Sequence, residues 1–369
     1  MVGIRTKKNL MKSGIIVRTA FGDSKNIGDY IQSISQEQFF NKVDYYVERE
    51  EMDQFQADEK VKVIMGAWFM THPEHFPPSD CIDPLFVSFH MFPGRAERML
   101  SPKGIACLKT HEPIGARDVE TKEILEAHGI NSYFSSCLTL TLGYKYKETE
   151  KNNDIFFVDP YYRFGGGNSQ GIHQYWDAFR LLIKHWKKVI KLQKTFKNEY
   201  FSVISHFSKK LDRMLMCASF YDSYSKAFDD DIIMNAKFIN HRISIKGMTQ
   251  DDIFEYTRKL LRSYAKAKLV VTSRLHCGLP CLGIETPVIF VTSEALEKGK
   301  MRGAGRLSGN LELMNYARWI PNGVEFITED LQKSTINGKL SNKRIVANPN
   351  TYKKYRDHLM ERVTNFIKE

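Results

Sequence analysis

Several signals are absent from this chain, and each absence removes a class of function. Its six cysteines include no C-x-x-C pair, so no zinc knuckle or dithiol redox motif is expected. Cys277 and Cys281, four residues apart, read as small core residues on one helix. Free buried thiols fit a reducing compartment. No apolar run approaches the length needed to span a bilayer. The basic stretch 1–19 holds an apolar segment too short for a signal peptide. A cytoplasmic protein is the expectation. No repeat occurs at a solenoid period. The three glycines at 165–167 lack the spacing and the following Lys-Ser of a phosphate-binding loop, so they read as a flexible loop. No cluster of metal-ligating residues is visible, and neither a metal nor a cofactor is expected. No nucleic-acid-binding motif is present and the basic residues are spread out, so no nucleic-acid partner is expected.

What is present describes a globular protein. Apolar content is 42% and charged content 26% across 369 residues, enough for a sizeable core. At about 150 residues per domain, that length suggests two. The net charge of +11 suits anionic partners, whether phosphorylated metabolites, lipid headgroups or nucleic acid, and does not choose among them.

The most informative stretch is 268–291, KLVVTSRLHCGLPCLGIETPVIFV. Leu269, Val270 and Val271 form the β-branched run of a buried parallel strand. Thr272 and Ser273 end it and can cap a following helix over 276–284, which stops before Pro287. Residues 288–291 are the next strand. Arg274 and His276 therefore fall where a strand's carboxyl end feeds a helix amino end, the usual ligand position in an open α/β sheet. Free N–H groups and the helix dipole favour an anion there. Arg274 adds a permanent cation, and His276 adds a proton carrier for neutral pH. A surface arginine and a satisfied polar histidine are the plainer alternatives.

The same logic recurs along the chain. A strand over 14–18 opens into a turn with Asn26, Gly28 and Asp29 before a helix, where a glycine can let a ligand approach the backbone. Strands are expected over 59–65 and 85–89, the latter ending at His90. Arg117 stands at the end of a short strand, beside a helix capped by Asp118; a salt bridge to Asp118 is its plain alternative. A strand over 154–158 begins a second α/β half after a polar boundary near 144–153. His241 and Arg242 can line a cleft or make loop hydrogen bonds. Arg306 sits in a glycine-bearing loop able to close over a ligand. Over 172–196, Ile172, Trp176, Phe179, Ile183, Trp186 and Ile190 recur at helical spacing, among lysines. A core-facing stripe opposite a solvated basic face is the expected arrangement, and contact with an anionic membrane is its alternative. A terminal helix is expected over 350–367.

Strand–helix alternation in both halves predicts an α/β protein with two Rossmann-like domains facing across a cleft. The expected boundaries are 1–150, 151–345 and a terminal helix 346–369 able to cross back to the first domain.

The chain resembles the polysaccharide pyruvyl transferase family. The resemblance is carried by NIGDYIQS (26–33), SFH (88–90), PIGARDVET (113–121), CLTLTL (137–142) and TSRLHCGLPCLGIETPVIFV (272–291). It implies a GT-B-like fold, phosphoenolpyruvate as donor, and a sugar acceptor in a surface polysaccharide, capsule or exopolysaccharide, that receives pyruvate as a ketal on two hydroxyls. The acceptor can be lipid-linked, which would bring the protein to the inner membrane face. The resemblance assigns Arg274, Leu275 and His276 to the active site, and Arg117 as the first domain's donor contact. His276 is expected to act as general acid, with Arg274 and Arg117 holding the donor. Asn26, Gly28, Asp29, His90, His241 and Arg306 are the remaining candidates for substrate contact. A GT-B-type glycosyltransferase using a nucleotide-sugar donor is the alternative, since fold does not fix chemistry.

Overall fold

In a computed structural model of the protein, the described residues are 12–18, 24–66, 68–69, 71–164, 172–195, 209–293, 296–297, 300–301, 305–321 and 323–369. The glycines at 165–167, and Arg302 and Gly303, lie outside them. The chain is α/β, and it divides into two compact units. The first comprises 1–19, 32–138 and 358–369, and the second 20–31 and 139–357.

The first unit holds a four-stranded parallel sheet in the order Tyr45–Glu48, Lys12–Val17, Val61–Ile64, Ile82–Leu85. Val47, Val61, Val63 and Ile16 build its core with Phe76, Phe86 and Phe89. A second cluster joins Ile64, Leu85 and Val87 to Leu359, Val363 and Phe366 of the terminal helix Lys353–Lys368. Burying such side chains is worth about 1.5–3 kcal/mol each, which seats the end of the chain on this sheet. The strand expected over 85–89 is displaced. Ile82–Leu85 makes the pairing, and Ser88 turns the chain at φ +57 before the short strand His90–Met91. Pro84 is tolerated because that strand is the sheet's edge, where one N–H is not needed.

The second unit is organised on a six-stranded sheet. Its order is Ala236–Ile239, Ile155–Val158, Leu269–Thr272, Val288–Thr292, Asn315–Ile320, Gly323–Phe326. The first five strands are parallel and the last is antiparallel to its neighbour. The central strands are buried throughout, which explains their continuous apolar sequences. Leaving Ile155–Val158, the chain first reaches the strand on one side and then returns to the strand on the other. The order therefore reverses at Ile155–Val158 and Leu269–Thr272.

The helix expected over 172–196 is two helices, Ile172–Lys184 and Trp186–Thr195, separated at His185. Their core side also differs from expectation. Ala178, Leu182, Val189 and Leu192 enter the core, whereas Trp176, Phe179, Ile183, Trp186 and Ile190 are exposed. Two apolar faces lie side by side on these helices, and periodicity marks both alike.

Candidate active site

The site of the second unit grows from two strand ends. Val158 pairs with Thr272, so the next residues, Asp159 and Ser273, stand together just past the sheet. This is the reversal point of the strand order, where a crevice opens in doubly wound sheets. Asp159 has φ +46, a left-handed conformation uncommon for a non-glycine residue and enriched at functional sites. It is held from several sides. Its N–H donates to the Ile239 carbonyl at 2.9 Å, and its own carbonyl accepts from Ser273 Oγ at 2.6 Å. Its Oδ2 accepts from Arg274 Nε at 2.6 Å and from the His241 N–H at 3.1 Å. The carboxylate side chain is 11% exposed and that of Arg274 43%. One edge of the guanidinium is therefore fixed by a charge-assisted bond while part of the group remains open to solvent.

Arg274 precedes the helix Leu275–Gly283, and its N–H donates to Thr272 Oγ1 at 3.0 Å. The first-turn N–H groups of Cys277 and Gly278 both donate to the Arg274 carbonyl. His276 departs from helical geometry, with φ −80 and ψ 24. Pro280, four residues on, is the physical reason. It has no N–H to return to the His276 carbonyl, and its ring crowds that oxygen. The resulting backbone lies in the sparsely populated bridge region, where many active-site residues sit. The half-buried imidazole is walled by Gly28. A Cβ at Gly28 would stand 3.2 Å from His276 Cβ and 3.3 Å from Nδ1.

Gly28 reaches this place because the strand Ser24–Asn26 pairs antiparallel with Arg242–Ser244. Asn26 Oδ1 accepts from the Gly28 N–H at 3.1 Å, and the Ile27 N–H donates to the His241 carbonyl at 2.7 Å. The structure thus gathers Asn26, Gly28, His241, Arg274 and His276 in one unit. Asp29 follows, half-buried, in the first turn of the helix Ile27–Glu37. Leu275 points into the core at 5% exposure. Arg306 is exposed in the 3-10 turn Gly305–Leu307, and no hydrogen bond among the described residues ties its side chain to this cluster.

Behind the turn lies a buried polar layer. His241 is 1% exposed, with Nε2 3.0 Å from the Tyr264 hydroxyl. Cys277, Cys281 and Thr272 complete the layer. Burial opposes ionisation of Cys277, but hydrogen bonding by Cys281, His241 and Thr272, with the charge of His241, outweighs it and holds the thiol below its usual range. Burial pushes Cys281 and Tyr264 up.

The first unit holds a second cluster. His90 Nδ1 donates to Asp118 Oδ2 at 2.6 Å, with His90 2% and Asp118 0% exposed. Asp118 Oδ1 accepts from the Thr121 N–H at 2.9 Å and so caps the helix Val119–Ala127. Arg117 is buried beside it, its Nε 3.8 Å from Asp118 Oδ2. Burial alone would raise the Asp118 carboxyl. The His90 hydrogen bond, the charges of His90 and Arg117, and the Thr121 N–H together hold it below the ordinary carboxylate range.

Asp159 is the site residue that sequence reasoning passed over. Its signal was the one used for Arg274 and Arg117, a charged residue directly after a buried strand. Only the parallel register, Val158 opposite Thr272, brings it to the arginine.

A family model described as polysaccharide pyruvyl transferase matches residues 26–294, which include both clusters. No curated protein matches the chain. Among solved structures, Escherichia coli heptosyltransferase WaaC with ADP aligns at 12% identity over 96% of this chain and 100% of that one, with a TM-score of 0.28. The same enzyme with ADP-2-deoxy-2-fluoro heptose aligns at 13% identity over 81% and 97%, also at 0.28. Superpositions at that score do not establish a shared fold.

Proposed function

Given that the chain belongs to the polysaccharide pyruvyl transferase family, we propose that it moves pyruvate from phosphoenolpyruvate to two hydroxyls of a saccharide, forming a ketal and releasing phosphate. The observation that carries this reading is the Asp159-oriented Arg274 two residues from His276 at a strand-to-helix turn. Phosphoenolpyruvate carries a phosphate of roughly −1.5 to −2 and a carboxylate near −1 at neutral pH. A guanidinium held along one edge keeps its other N–H groups for such an anion. The helix amino end adds partial positive charge.

The chemistry begins with a proton. His276 gives it to the methylene carbon of the donor, which leaves the central carbon electrophilic. One sugar hydroxyl adds there and returns a proton to His276. The phosphate then departs with its bonding electrons as the second hydroxyl closes the ring, and that hydroxyl's proton leaves with the phosphate. Arg274 stabilises the departing phosphate. We assign Arg117 to donor contact on the resemblance. We also assign His90, held at Nδ1 by Asp118, to orienting a sugar hydroxyl.

The test is incubation with phosphoenolpyruvate and a panel of galactose-, glucose- and mannose-type acceptors, scored by phosphate release and product mass. His276→Gln keeps a neutral polar side chain but cannot protonate carbon, and the expected loss in kcat is about 10²–10⁴-fold. Near-normal turnover by that variant with donor saturating would remove His276 from the acid role. Release of a nucleoside diphosphate from a nucleotide sugar would replace the whole reading.

A further inference from the structure

The exposed apolar stripe on the helices Ile172–Lys184 and Trp186–Thr195 has no part in the site above. Trp176 is 60% exposed, Ile183 65% and Trp186 49%, with Phe179 and Ile190 also open. Trp176 and Phe179 rings meet edge to face, 6.4 Å between centroids, which keeps the stripe contiguous. At 100° per residue, Trp176, Phe179 and Ile183 fall within about 60° of one another, as do Trp186 and Ile190. This stripe is not the core face. Ala178, Leu182, Val189 and Leu192 bury on the side next to it. Its other flank is basic. Lys187, Lys191 and Lys194 are exposed, and among the described residues no ion pair engages them. Lys184 and Lys188 pair with Asp222 and Asp230 on neighbouring elements. Residues 172–195 carry six Lys and Arg against a single acidic residue, Asp177, a net charge of +5.

A soluble surface seldom leaves two tryptophans and two isoleucines in line. An aromatic and aliphatic stripe bordered by lysines is the pattern of a helix lying in a bilayer interface. The apolar side enters the acyl boundary while the ammonium groups meet anionic headgroups. We propose that this helix pair docks the protein on an anionic lipid bilayer, by insertion of the Trp176–Ile190 stripe and headgroup contacts from Lys187, Lys191 and Lys194. The lysines select this occupant over a second copy of the chain, since two such basic faces would repel. The proposal goes beyond the transfer reaction and does not depend on it.

The test is vesicle flotation of the full chain, without donor or acceptor, using phosphatidylglycerol–phosphatidylcholine vesicles and phosphatidylcholine alone. Wild type is expected to float with the anionic vesicles, to lose binding as salt rises, and not to float with the zwitterionic ones. Trp176→Ser with Phe179→Ser and Ile183→Ser, and separately Lys187→Glu with Lys191→Glu and Lys194→Glu, should each lower partitioning at least about tenfold. Both variants change exposed positions, and thermal melts matching wild type confirm that the fold is retained. Absence of flotation at low salt, equal binding to both vesicle types, or wild-type binding by the apolar variant overturns the proposal. So does a dimer in sedimentation velocity that the apolar variant abolishes.

Discussion

Replacing Gly28 by alanine tests whether the His276 imidazole is the working group. The new Cβ would stand 3.2 Å from Asn26 Oδ1, 3.2 Å from His276 Cβ and 3.3 Å from its Nδ1. Ordinary contact begins at 3.4 Å, so relief moves the imidazole by a few tenths of an ångström. A misplacement near 1 Å can cost about 10² in rate, so a shift of about 0.2–0.4 Å should lower kcat about three- to sixfold. That corresponds to about 0.5–1 kcal/mol of lost transition-state stabilisation. Stability should move the other way or hardly at all, because Gly28 lies in a helix and alanine gains up to about 1 kcal/mol there. Phosphate release with varied phosphoenolpyruvate gives kcat and KM, and a thermal melt reports the fold. The decisive comparison is the double variant. In a His276→Gln background the Gly28 change should have no further effect, since its target is already gone. A Gly28→Ala enzyme with an unchanged melt and kcat/KM within about twofold of wild type would refute the reasoning. Additive losses in the double variant would place the glycine's effect elsewhere.

Two further outcomes follow from the clusters. Asp159→Asn keeps an oxygen for the His241 N–H but removes the charge that fixes Arg274 Nε, so KM for phosphoenolpyruvate should rise about tenfold with a smaller change in kcat; an unchanged KM would deny Arg274 its donor role. For Asp118 the folded carboxyl is held below its ordinary value. Its stability contribution is therefore present above about pH 4 and is lost as pH falls through the depressed value. Asp118→Asn should cost about 3 kcal/mol in urea unfolding at pH 7, and the gap from wild type should narrow as the medium is acidified; a constant gap would contradict the linkage.

Sequence made the Leu269–Thr272 strand, the turn after it and the Asp118 cap legible, because each is local chemistry. A β-branched run, a proline limit and an aspartate three residues before an N–H identify them without knowledge of the fold. Asp159 was hidden because an aspartate after a strand is commonplace until register sets it beside Ser273. The strand at 85–89 was misplaced because the run from Leu85 to Phe89, apolar but for Ser88, is buried whether or not it pairs. Hydrogen bonding, not burial, decided for Ile82–Leu85. The stripe on the 172–195 helices was turned the wrong way because periodicity reports that an apolar face exists, not what covers it. Asn26 and Gly28 were read in the first half of the chain, and the pairing of Ser24–Asn26 with Arg242–Ser244 carries them to the second unit.

That pairing has a practical consequence for anyone dividing the protein. A fragment beginning near residue 139 would keep the guanidinium, its carboxylate partner and the imidazole, yet lack the short N-terminal strap that lies against the ring.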